Sequence, residues 1–173
     1  MKKYLFIASI TLIGCQQPKE ITTEETPSSP PGYVVQGGKK TAVDDANPEN
    51  LVFWDRYIQA HNKRDLETIS AMNNDSITIY TQDGNKTVGT KAHLENLNLW
   101  FDASDPKWNT YFSYTMKIEG QKGAWVISGH EMTETVEGKT LKHYDITDAY
   151  IEDEKVKAFW VYQRKQENPS LKN

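Results

Sequence analysis

Cysteine is all but missing from this sequence, which has a single one, at position 15. Without a second thiol the chain can form no internal disulfide, whatever its redox compartment, and no thiolate is free to complete a metal site in the rest of the chain. An apolar run of membrane-spanning length is also lacking. The stretch from Tyr4 to Ile13 falls short of the about 20 residues that a spanning helix needs. Charge of one sign is scarce as well: 20 basic residues face 24 acidic ones, for a net charge of −4, which argues against a nucleic-acid surface. The four histidines, His61, His93, His130 and His143, show no close spacing such as His-x-x-x-His, so neither a metal nor a cofactor is expected.

What is present begins with an export signal. Lys2 and Lys3 precede the short apolar stretch, the pattern of a signal n-region and h-region. Leu12-Ile13-Gly14-Cys15 resembles the lipobox of bacterial lipoproteins. That resemblance implies cleavage after residue 14, a diacylglycerol on Cys15, and attachment to a membrane through acyl chains. Each buried methylene adds about 0.8 kcal/mol to such an anchor. Gln16 after the cysteine, with no acidic retention residue, points by the same resemblance to the outer membrane of the cell envelope. The plainer alternative is a secreted protein whose cysteine is discarded with the signal. Residues 15–46 carry Pro18, Pro27, Pro30, Pro31, Gly32, Gly37 and Gly38 and few large apolar side chains, which reads as a flexible linker. Tyr33-Val34-Val35 is too short for a strand of its own. One domain is expected over residues 47–166, with a disordered tail over 167–173.

Asn47-Pro48-Glu49 opens a helix, and Trp54, Tyr57, Ile58 and His61 recur on one face of it at i, i+3, i+4 and i+7. Asp65 caps a shorter helix over 66–72. The period then drops to two from Ser76 to Thr81, and Gly89-Thr90 opens a third helix with Leu94, Leu97, Trp100 and Phe101. Everything after Pro106 alternates as strand, with tight turns at Glu137-Gly138 and Asp153-Glu154. Helices followed by a meander predict an α+β domain: a curved, cone-shaped antiparallel or mixed sheet wrapped by about three helices.

The order of Trp54-x-x-Tyr57-Ile58-x-Ala60, Arg64-Asp65-Leu66-Glu67-x-Ile69, Asn74-Asp75-Ser76-Ile77 and Tyr150-Ile151-Glu152-Asp153-Glu154-Lys155-Val156 resembles the nuclear-transport-factor-2-like superfamily, which includes SnoaL-like cyclases and ketosteroid isomerases. The resemblance implies a central pocket and sets Tyr57 where the isomerase keeps an oxyanion donor. It also sets Thr81 at the isomerase's general base and Thr147 near its second donor. A threonine cannot take a proton at neutral pH, so steroid isomerisation is not expected. Ser128-Gly129-His130 is similar to the histidine segment of SnoaL-like cyclases, whose partner aspartate would be Asp145 or Asp148.

Strand register separates those two. A two-residue turn at Glu137-Gly138 sets His130 opposite Asp145, with Cβ atoms about 4.5–5.5 Å apart. The same count around Asp153-Glu154 pairs Asp145 with Tyr162 and Thr147 with Trp160. One face would then carry Ser128, His130, Asp145, Thr147, Trp160 and Tyr162, and the other Trp125, Ile127, Glu131, Tyr144, Ile146 and Tyr150. His130 and Asp145 are the candidate acid–base pair, the carboxylate raising the imidazole's basicity, or else a structural cross-strand pair. Tyr57, His61, Tyr80, Ser128, Thr147, Trp160 and Tyr162 are the candidate ligand contacts. These residues suit an envelope-anchored module that binds a small apolar or amphipathic molecule. They also suit a SnoaL-like enzyme moving protons next to a carbonyl, or an interaction module with no active pocket. The apolar sheet face points to a homodimer.

Overall fold

The computed structural model describes residues 29–164, so the signal sequence, Cys15 and the tail over 167–173 lie outside the described residues. No helix among the described residues is long and apolar enough to cross a membrane. In chain order the elements are β1 (Gly32–Gln36), β2 (Lys39–Asp45), α1 (Glu49–Lys63), α2 (Leu66–Met72), β3 (Asn73–Tyr80), β4 (Lys86–Val88), α3 (Thr90–Ser104), β5 (Lys107–Ile118), β6 (Ala124–Val136), β7 (Lys139–Glu152) and β8 (Lys155–Arg164). The strands form one open sheet in the order β1-β2-β5-β6-β7-β8-β3-β4. Among the described residues only β3 and β8 run parallel. The fold is therefore α+β, a cone-like mixed sheet with its helices packed on one face.

Local chemistry explains where the helices begin and end. The Asn47 side chain accepts from the Glu49 N–H at 3.0 Å, and α1 stops where Arg64 turns left-handed at φ 57°. Asp65 then accepts from the Thr68 N–H at 2.9 Å, which starts α2 within two residues of the end of α1. The apolar stripe of α1 buries Trp54, Tyr57, Ile58 and His61, as its period predicts. Against them pack Ile69, Ile77, Phe101, Val126, Ala149 and Phe159.

Along β6 the even residues face the helices: Val126, Ser128 and His130 are all fully buried. On β7 the odd residues do so, with Asp145, Thr147, Ala149 and Ile151 buried. The turn at Glu137 and Gly138 has positive φ at both residues, 51° and 73°, the geometry that matches strand twist in a two-residue hairpin. It sets Thr135 opposite Thr140 and His130 opposite Asp145, the expected register.

Two expectations fail here. The first is the linker over 15–46, whose part from Gly32 to Asp45 is a β-hairpin turning at Gly37 and Gly38, with φ 56° and 79°. Alone it would be marginal. It is held because β2 joins the free edge of β5, pairing Val43 with Ile118 and Asp45 with Met116. The second failure is at β8. The turn at Asp153 and Glu154 is as tight as expected, and Ile151 pairs with Val156, but Tyr150 then pairs with Ala158. Lys157 is an extra residue in the strand, a β-bulge. Beyond it the register is shifted by one, so Thr147 meets Val161 and Asp145 meets Gln163. Trp160 and Tyr162 thereby pass to the outer face.

Gly129 has a specific task on that outer face. A Cβ there would lie 2.2 Å from Cε1 of Phe112 and 2.6 Å from Cζ of Tyr111. The absence of a side chain lets both rings lie against β6, across a bulge in β5 between Thr110 and Phe112.

Candidate functional site

A cavity of about 280 Å³ opens between α1, α3 and the inner face of the sheet. Helix α1 contributes Trp54, Tyr57 and His61, and α3 contributes His93, Asn96 and Trp100. The sheet adds Thr81 just past β3, Trp108, Met132, Asp145, Thr147, Phe159 and Val161. A second depression, about 550 Å³, is walled largely by charged side chains such as Glu49, Arg56, Lys117 and Glu152, and lacks the concave apolar lining of a small-molecule site.

The polar groups around the first cavity are mostly bonded to one another. The Tyr57 hydroxyl donates to Asn73 Oδ1 at 2.6 Å, and Asn73 Nδ2 lies 3.0 Å from His93 Nδ1. An amide nitrogen only donates, so His93 accepts through Nδ1 and carries its ring proton on Nε2. His61 Nδ1 lies 2.8 Å from the Tyr57 carbonyl, which only accepts, so His61 has the opposite tautomer, with its lone pair on Nε2. The two ring centroids are 5.9 Å apart. The pair thus offers one N–H donor and one nitrogen acceptor.

Both imidazoles are neutral at pH 7. Burial lowers the His61 pKa to about 4 against the upward pull of the Tyr57 carbonyl. Burial, with the charge His61 would carry, lowers His93 to about 3. The Tyr57 hydroxyl is pushed well above its usual value by burial.

His130 sits deeper, behind the cavity wall. Its Nε2 lies 2.8 Å from Ser128 Oγ and its Nδ1 lies 3.1 Å from Thr110 Oγ1. The Trp54 indole N–H also donates to Ser128 Oγ, at 2.8 Å. Both ring nitrogens are therefore engaged by hydroxyls, while Asp145 stands opposite on β7. The expected rise in basicity does not occur: burial, followed by the charge His61 would carry, lowers His130 to about 4.

Asp145 is the exception to this mutual satisfaction. It is 4 % exposed and lines the cavity, and its Oδ1 has no hydrogen-bond partner. Burial raises its pKa above the ordinary carboxylate value, although His143 and the Gln163 side chain pull it down.

No protein-family model matches this sequence, and no curated protein sequence does. Solved structures do match. A candidate SnoaL-like polyketide cyclase from Shewanella denitrificans OS-217 is 14% identical with a TM-score of 0.55, over 68% of this chain and 92% of that one. An epoxide hydrolase of M. tuberculosis, described as LEH-like, is 11% identical with a TM-score of 0.56, over 65% and 80%. A ketosteroid isomerase-like protein from Erwinia carotovora atroseptica SCRI1043 is 15% identical with a TM-score of 0.54, over 66% and 93%. The domain has the nuclear-transport-factor-2-like fold.

Within that fold the sequence-predicted residues divide cleanly. Tyr57, His61, Asp145 and Thr147 line the cavity, as does Thr81. Ser128 and His130 are buried behind it. Trp160, Tyr162 and Tyr80 are not in its wall. Tyr80 and Trp160 stack at 5.2 Å with an interplanar angle of 9°, and Trp160 also meets Trp125 at 5.5 Å, which places this aromatic row on the outer face. Phe159 and Val161 line the cavity in place of Trp160 and Tyr162, because of the bulge at Lys157.

Sequence reasoning missed His93, Trp100 and Asn73. The first two had a signal, since His93, Leu97, Trp100 and Ser104 recur at i, i+4, i+7 and i+11 on one face of α3, beside Leu94 and Phe101. Asn73 is the 2 % exposed first residue of β3 and joins Tyr57 to His93. Nothing local marks it. Among the described residues no group of three His, Cys, Asp or Glu side chains is placed to hold a metal ion.

Proposed function

We propose that this chain is an outer-membrane lipoprotein, anchored to the cell envelope through Cys15, whose domain binds a small, largely apolar molecule in the central cavity without transforming it. The observation that carries this reading is the self-contained hydrogen bonding of the cavity. The Tyr57 hydroxyl is committed to Asn73, and both nitrogens of His130 are committed to hydroxyls. Groups so engaged hold a shape and are poorly placed to donate to a substrate oxyanion. Thr81 offers no base in their stead.

Homodimer formation belongs to the same proposal. Tyr111, Tyr114, Ile146 and Tyr162, on the sheet face away from the helices, are exposed by 54%, 51%, 39% and 54%. A second copy meeting this face would remove that apolar surface from water.

One observation favours a second reading. An unpartnered carboxylate with a raised pKa in a cavity is a suitable proton acceptor, and Asp145 with His130 would then do SnoaL-like acid–base chemistry.

Native mass spectrometry of the full chain extracted from envelopes in detergent tests these statements together. The expected spectrum shows two copies per particle, each with acyl chains on Cys15, and a small molecule released unchanged. An unlipidated chain would remove the anchor, and a monomer would remove the dimer. A co-purified molecule that is consumed by the wild type, but not by His130→Ala or Asp145→Asn, would replace binding with catalysis.

A further inference from the structure

The cavity has an electrostatic character that its apolar lining hides. Among the described residues that line it, the one carboxylate is that of Asp145, which is nine-tenths buried and keeps Oδ1 without a partner. Among the described residues that line it, none is a lysine or an arginine. His61 and His93 are uncharged at neutral pH, so they bring no positive charge. What surrounds the carboxylate is aromatic: Trp54, Tyr57, Trp100, Trp108 and Phe159 all contribute to the wall.

Ring faces carry negative quadrupole potential and attract cations, more strongly where water is excluded. A buried carboxylate is costly unless it is paired and hydrogen-bonded. The nearest groups do not provide that pairing. His130 opposite it on β6 is engaged by Ser128 and Thr110, and Gln163 opposite it on β8 hydrogen-bonds the carboxylate without bringing a charge. His143 pulls on Asp145 and stands 3.4 Å from Glu134 Oε2 through Nε2, but that Nε2 is hydrogen-bonded to neither carboxylate.

We propose that the cavity selects a compact organic cation, a primary or secondary amine on an apolar or aromatic body, whose ammonium group pairs with the Asp145 carboxylate while its body fills the aromatic walls. An anion would meet the carboxylate and the ring faces with repulsion. A neutral alcohol could donate to the carboxylate but would leave its charge uncompensated. The amine does both. This assignment rests on the binding reading above and names the class of molecule bound.

Three near-isosteric probes separate the possibilities on the full chain: 2-phenylethylamine, 2-phenylethanol and phenylacetate. Trp54, Trp100 and Trp108 line the cavity, so tryptophan fluorescence reports occupancy, and calorimetry gives the affinities. At pH 7 the amine is fully protonated. It should bind at least about tenfold more tightly than the alcohol, and phenylacetate should bind most weakly. In Asp145→Asn the amine-to-alcohol ratio should fall to about one. The wild-type ranking stands even if that variant does not fold. Alcohol binding equal to or tighter than amine binding overturns the cation assignment and leaves an apolar pocket. Failure of all three probes on the wild type overturns the pocket together with it.

Discussion

Acidifying the protein from pH 7.5 to pH 5 should lower its melting temperature steeply. His61, His93 and His130 are held to about 4, 3 and 4 in the folded protein, chiefly because burial disfavours the imidazolium, against 6.5 for an exposed imidazole. Between pH 6.5 and pH 4 the unfolded chain therefore takes up protons that the folded chain refuses. Stability rises with pH wherever the unfolded state binds more protons. The contribution of these three groups is fully present above pH 6.5 and is lost as the pH falls toward 4. Each removes up to about 1.4 kcal/mol per pH unit, so three remove about 6 kcal/mol by pH 5, much of the 5–15 kcal/mol typical of a domain.

Asp145 and Asp148 act in the opposite direction. Their folded pKa values are raised by burial, so they take up protons more readily when folded and soften the slope at the acid end. Thermal melts followed by circular dichroism across this range test the prediction, and His93→Gln should flatten the slope by one proton. A melting temperature constant from pH 7.5 to pH 5 would show that the imidazoles titrate normally in the folded protein.

Replacing Trp54 with alanine should cost about 3–5 kcal/mol, the range for truncating a buried aromatic side chain. Trp54 is 2 % exposed and stacks on Tyr57 at 5.3 Å with an interplanar angle of 28°. Its edge-on contact with Phe159 is 6.3 Å between centroids, and its N–H holds Ser128 at 2.8 Å. The alanine variant loses all of these and opens a void continuous with the cavity. Trp54→Phe keeps a ring and loses the N–H, and Ser128 Oγ still has His130 as a partner. That change should cost about 1 kcal/mol. On a domain of this size, the alanine variant should melt on the order of 10 °C below the wild type and the phenylalanine variant only a few degrees below it. Equal melting temperatures for the two variants would mean that α1 does not pack on β6 as described.

Much of this is legible in the amino-acid sequence. The three helices are marked by short-range signals: Asn47 and Asp65 at the starts, the i, i+3, i+4, i+7 stripe through Trp54 and His61, and Gly89 before α3. The register that sets His130 opposite Asp145 follows from one tight turn and counting. The same counting failed one strand later. A bulge adds a single residue with little local signature, and in a sheet one residue is the difference between the two faces. That is why Trp160 and Tyr162 lie outside although a bulge-free count puts them inside.

The amino-acid order by itself determined the helices, the tight hairpins, the α+β class and the pairing of His130 with Asp145, because each depends on contacts a few residues apart or on one turn. Only the tertiary structure decided that Gly32–Asp45 joins the sheet, that Lys157 bulges, that Asn73 links Tyr57 to His93, and that Asp145 faces the cavity with one oxygen unbonded. Those features come from groups distant in sequence meeting under the constraints of burial and hydrogen-bond satisfaction, which no local pattern encodes.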